Sequence, residues 1–147
     1  MIDKFLIAQR IDFIRGLLKQ LMFLSGLTYE EFTKNDLNVA AAESYIRRCL
    51  EAIFDIGRHI LAKTGCVELA GEYKSIARGL SGKNFISSDM GLKLVQMAGY
   101  RNRMVHFYSM VTDQELYEIL QNNLKDIENF LVEIKQTVLL TKDTQGE

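Results

Sequence analysis

The chain has 147 residues, 48% hydrophobic and 25% charged, with no proline, two cysteines and a formal net charge of −1. That balance fits an ordinary soluble globular protein of one domain and gives no global electrostatic case for nucleic acid; an RNA-binding surface has to be local or built by assembly. No stretch of about 20 apolar residues occurs, and Met1-Ile2-Asp3-Lys4 leads straight into an amphipathic pattern, so a cytoplasmic chain without a membrane span is expected.

Helical periodicity runs through nearly all of the chain, and the absence of proline suits long uninterrupted helices. Residues 3–25 carry Leu6, Ile7, Ile11, Ile14, Leu17, Leu18, Leu21 and Leu24 on one side, ending at the capping position Gly26. Thr28 and Glu31 have the spacing of a capping box for a short helix over 29–34. Asn35 or Asp36 then caps a long helix to about residue 64, with Tyr45, Ile46, Cys49, Leu50, Ile53, Ile56, Ile60 and Leu61 inward. Gly57 inside it is unfavourable by up to about 1 kcal/mol, which hints at another helix approaching closely. Residues 65–87 are the least regular, with four glycines and one short helix near 72–80. Ser87 or Ser88 caps the next helix, laid out over 89–107. Thr112 and Glu115 form a second capping box ahead of a terminal helix over 113–139 with Leu116, Leu120, Leu124, Ile127, Leu131, Ile134 and Val138 inward. Residues 141–147 read as a frayed polar tail after a single domain over 1–140. The expected fold is an all-α, four- to five-helix up-and-down bundle.

One residue breaks this pattern. On a helix turning about 100° per residue, Met90, Leu94, Met97, Ala98, Met104 and Val105 all fall within about 60° of Arg101. A guanidinium in the middle of an apolar stripe is costly unless paired, and such a local inconsistency points first to a functional site. His106 and Tyr108 follow within two turns. Arginine offers a planar fork of donors that matches phosphate and cannot be deprotonated. Histidine titrates near neutrality and moves a proton in either direction. Together Arg101 and His106 suffice for metal-independent RNA cleavage, the histidine moving the proton and the arginine stabilising charge on phosphorus. One difficulty is geometric: five residues of separation place them about 140° apart on an ideal helix. Either the helix yields near His106, or Arg101 reaches around it, or two subunits share the site. Asn102 lies between the two and can orient His106 or bind phosphate. Arg103, opposite the stripe, reads as solvated, with a phosphate contact as the other option.

The run Ala98-Gly99-Tyr100-Arg101-Asn102-Arg103-Met104-Val105-His106-Phe107-Tyr108 resembles the signature of HepT-like proteins of the HEPN superfamily. The order of helices and the stretch from Asp55-Ile56 to His59-Ile60 extend the resemblance over most of the chain. It implies a toxin of a type VII-like HEPN/MNT toxin–antitoxin pair, acting as a metal-independent endoribonuclease. It also implies a homodimer with the motif at a cleft between subunits, and a partner nucleotidyltransferase antitoxin of the minimal (MNT) type that silences the toxin by adding AMP to the motif tyrosine. By position, Arg101 and His106 become catalytic, Asn102 and Arg103 supporting, and Tyr108 the AMP acceptor. A shared dimer cleft is the expected answer to the geometric difficulty, since Arg101 would then face a polar groove.

Other readings stand beside this one. The helical chain can be a non-catalytic partner subunit that holds nucleotide or substrate for a nucleotidyltransferase, or a purely structural dimeric bundle, which leaves Arg101 unexplained. Asp55 and His59, four apart, read as a surface salt bridge. Arg47 and Arg48 with Glu43 and Glu51 read as an ordinary charged helix surface. Cys49 and Cys66 have no metal-ligand spacing and read as buried reduced thiols. No phosphate loop, zinc spacing or paired-carboxylate site stands out, so neither metal nor cofactor is expected.

Overall fold

A computed structural model of the chain describes residues 1–106 and 111–141. Tyr108 and residues 142–147 of the expected tail lie outside the described residues. Among the described residues every regular element is helical: α1 (Lys4–Ser25), α2 (Tyr29–Lys34), α3 (Asp36–Lys63), a 3₁₀ turn (Val67–Ala70), α4 (Tyr73–Gly82), α5 (Ser88–Val105), α6 (Asp113–Asn122) and α7 (Leu124–Ile134), which runs on into a π turn (Lys135–Leu139).

Local chemistry sets most of these boundaries. The side chains of Asp3, Thr28, Asn35, Ser87 and Thr112 each accept a backbone N–H at the start of the helix that follows, satisfying donors that have no partner within the helix. Both capping boxes form as the spacing predicts. The periodic stripes then face one core, which includes Ile7, Ile14 and Leu21 of α1, Ile46, Ile53 and Ile60 of α3, and Leu120, Phe130 and Leu131 of α6 and α7. Cys49 and Cys66 are buried free thiols, and burial pushes the Cys49 thiol up to about 12.

The terminal helix differs from the uninterrupted 113–139 expectation. It breaks at Asn123 (φ −111°, ψ −9°), whose side-chain amide donates to Asp126 at 3.1 Å. An asparagine that bonds a side chain within the next turn offers the backbone an alternative to the helical ladder.

Gly57 explains how α4 fits. A Cβ there would lie 2.5 Å from Ile76 Cγ2 and 3.0 Å from Leu80 Cδ1, so α4 sits on α3 at a distance only glycine permits. Arg58, the next residue, donates from Nε to the Ala70 carbonyl at 3.1 Å and ties the 3₁₀ turn to the same helix. The irregular stretch is thus folded back across α3, and the first residue of α4 is brought to the end of α5.

A candidate active site at the end of the fifth helix

α5 is held from its first residues. Its cap Ser87 donates its backbone N–H to Glu133 Oε1 at 2.6 Å, fixing the helix start to α7. Further along, Lys93 Nζ donates to the buried Asp126 carboxylate at 2.8 Å; that bond holds the Lys93 ammonium above its ordinary range. The helix reaches Val105 and stops.

Arg101, on the last turns of α5, is paired within its own chain. Its Nη2 donates to Glu51 Oε2 at 3.3 Å, while the other oxygen of Glu51 accepts from Arg47 Nη1 at 3.2 Å. The guanidinium carbon lies 4.5 Å from the centroid of the Tyr73 ring, in the range of a cation–π contact. Tyr73, the first residue of α4, is stacked in turn on the fully buried Phe54 at 4.5 Å and 13°. The misplaced charge therefore rests on an aromatic shelf with a carboxylate at one edge. Its environment is incomplete in one respect: Arg101 Nε is buried and has no hydrogen-bond partner.

His106 is off the helix. Its backbone is extended (φ −101°, ψ 95°), and its N–H makes the last rung of α5 to the Asn102 carbonyl at 3.3 Å. The expectation of a helix to residue 107 is corrected here, and the 140° separation, which assumes an ideal helix, does not describe this pair. His106 is exposed, and Asn102 is half-buried beside Arg101. Asn102 and Arg101 line a groove of about 550 Å³ together with Tyr73, Lys74 and Arg58.

Arg103, expected to be solvated, has a side chain 41% exposed and is also paired. It makes two bonds to the Glu115 carboxylate, Nη1 to Oε2 at 2.6 Å and Nη2 to Oε1 at 2.9 Å. Glu115 also accepts from the Thr112 backbone N–H at 3.2 Å, so one carboxylate caps α6 and clasps the last turn of α5. The Arg103 guanidinium, and then the Thr112 N–H, hold the Glu115 carboxyl down to about 2, and Glu115 raises Arg103 above its ordinary range.

One further reading changes. Asp55 pairs with Arg58 at 3.3 Å and not with His59, whose Nε2 accepts the Asp3 backbone N–H at 2.9 Å. Burial, then Lys63, keeps the His59 imidazole below its ordinary pKa, consistent with a neutral acceptor. Glu51 and Tyr73 are the neighbours of Arg101 that the sequence did not disclose. Glu51 satisfied an i,i+4 pattern with Arg47 and so gave no reason to look for a second cation.

Comparison with known proteins bears on the fold and the family. The chain is similar to a tri-AMPylated Shewanella oneidensis HEPN toxin solved in complex with an MNT antitoxin, at 25% identity and a TM-score of 0.79, over 89% of this chain and 97% of that one. It is similar in fold to a chain of a toxin–antitoxin complex solved with AMP-PNP, at 24% identity and a TM-score of 0.76, over 88% and 98% of the two chains. A search of curated proteins gives no significant match. The ribonuclease HepT-like family profile matches residues 7–134, and the chain belongs to that family.

Proposed function

We propose that this protein is the toxin of a toxin–antitoxin pair, a metal-independent endoribonuclease acting in the cytoplasm as a homodimer. The observation that carries the reading is Arg101: a guanidinium fixed by Glu51 and Tyr73 on a groove wall, with a buried unmet donor, five residues before a histidine released from the helix. The 2′-oxygen attacks phosphorus as the P–O5′ bond breaks, leaving a cyclic phosphate and a 5′-hydroxyl. His106 takes the proton from the 2′-hydroxyl or supplies one to the departing 5′-oxygen. Arg101 stabilises the charge gathering on the phosphoryl oxygens through its guanidinium. Asn102 supports His106 through the last rung of the helix, and Arg103 does so by fixing the final turn to Glu115.

The partner in this reading is an MNT-type nucleotidyltransferase, which adds AMP at Tyr108 and so places phosphate two residues beyond His106. The similar toxin solved in AMPylated form with such an antitoxin supports that reading.

Purified protein incubated with RNA in EDTA tests the activity. Wild type degrades the RNA, and Arg101→Ala and His106→Ala lose at least about a hundredfold of the rate, as expected for removal of an electrostatic stabiliser or a proton-transfer group. Equal RNA loss in all three samples sinks the assignment. Toxicity on expression without the partner separates this reading from that of a nucleotide-holding subunit, which would be harmless.

A further inference from the structure

The groove beside Arg101 is larger than one phosphate requires, and its walls are cationic. Arg58, Lys74 and Arg101 line it with one carboxylate, Glu72, while Asp55 and Glu51 pair with the two arginines from outside the lining, so Lys74 is the cation there with no ion pair among the described residues. We infer that Arg58 and Lys74 form a second phosphate subsite, which holds the backbone of single-stranded RNA next to the phosphate cleaved at Arg101. This inference rests on the ribonuclease reading and adds the path of the strand, along the start of α4.

Three observations carry it. Lys74 is exposed and makes no ion pair among the described residues, so its ammonium is available at the groove. Arg58 is already aimed: Nε is fixed to the Ala70 carbonyl at 3.1 Å and Nη1 to Asp55 at 3.3 Å, which leaves the Nη2 edge of a held guanidinium for another acceptor. Both guanidinium groups lie against the same ring, Arg58 at 5.7 Å and Arg101 at 4.5 Å from the Tyr73 centroid, so the two cations are neighbours along one wall. The dipole of α4, which begins at Tyr73, adds potential of the same sign.

The chemistry selects backbone over base. Tyr73 is stacked on Phe54 and covered by Arg101, so its ring is not a platform for a nucleobase. Phosphate contacts fix the position and register of a strand and carry no sequence information. The subsite therefore contributes affinity without preference among bases.

The probe is a labelled 2′-O-methyl oligouridylate, which carries RNA phosphates and has no 2′-hydroxyl to attack, so wild-type protein can be used intact. Its Kd is measured across a KCl series. Each phosphate contact to a single strand adds about 0.7 to the slope of log Kd against log salt. Lys74→Gln lowers the slope by about 0.7, and Lys74→Gln with Arg58→Gln lowers it further. Lys83→Gln, at the opposite end of α4, leaves it unchanged. Arg58→Gln also removes the bond to Ala70, so Arg58→Lys, which keeps the charge, is the paired control and keeps the slope. A Lys74→Gln line parallel to those of wild type and Lys83→Gln overturns the subsite. Loss of slope in Lys74→Gln with no RNA cleavage by wild type leaves the subsite standing and removes the ribonuclease reading.

Discussion

Replacing Glu51 by Gln is the most discriminating change at this site. It keeps the shape of the side chain and removes the charge that meets Arg101 Nη2 at 3.3 Å and Arg47 Nη1 at 3.2 Å. The Glu51 and Arg101 side chains are 32% and 24% exposed, so water screens the pair in part and its contribution to stability is modest. A loss of about 1 kcal/mol or less is expected, seen as a fall in Tm of about 3 °C. The catalytic effect is larger. Arg101 then keeps the Tyr73 ring and at most a neutral hydrogen bond to the amide oxygen, and a guanidinium displaced by about 1 Å costs on the order of a hundredfold in rate. The expected kcat of Glu51→Gln is thus about ten- to a hundredfold below wild type, with KM little changed, because the guanidinium keeps its charge for the ground state. Steady-state cleavage of a fluorogenic oligoribonucleotide, with Tm measured in parallel, separates the alternatives. If Glu51 competes with substrate for Arg101, the variant binds RNA more tightly and kcat/KM rises. That rise, or an unchanged kcat beside a lowered Tm, would refute positioning by Glu51.

Two other outcomes follow from the packing and the charges. Gly57→Ala gains helix propensity of about 1 kcal/mol, but its methyl would meet Ile76 at 2.5 Å in a buried seam. Overpacking there costs about 1–3 kcal/mol, so thermal denaturation should show a Tm several degrees lower, and a Tm equal to wild type would mean that α4 shifts freely. For Glu115, the folded carboxyl is held at about 2, below the ordinary 4.5, so the unfolded chain takes up its proton first as the pH falls. The stabilisation is complete above about 4.5 and drains away towards 2. The Tm gap between wild type and Glu115→Gln should close over that window, and a gap independent of pH would show that the Arg103 clasp contributes nothing through charge.

What could be read from the sequence was what short-range chemistry fixes. Thr28 with Glu31, and Thr112 with Glu115, each complete their bonds within one turn, so the spacing alone announces the helix start. The stripes of α1 and α3 are periodic because each faces one core. Arg101 stood out because it interrupts such a stripe, and Gly57 because glycine is unfavourable in mid-helix. What resolves Arg101 was not legible: Glu51 is fifty residues away and Tyr73 lies in the stretch with the weakest periodicity. The departure of His106 from the helix was one of three options and could not be chosen among them, since no proline or glycine marks it and the clasp holding the last turn comes from Glu115, across the connection. Sequence reasoning offered a second subunit to account for the arginine. Within one chain that charge is paired with Glu51 and Tyr73, residues that carry no motif.

The seat of α4 on Gly57 reaches further than stability. Ile76 rests over Gly57 and Tyr73 lies one turn before it, so the same contact sets how high the tyrosine ring stands on Phe54. That glycine is in effect a spacer gauge for the shelf beneath Arg101. A thicker residue at this position would lift the ring into the guanidinium and tilt the fork proposed to receive phosphate. On the ribonuclease reading, drift at a position with no chemistry of its own would then register as lost catalysis, which ties the dimensions of the core to the precision of the site.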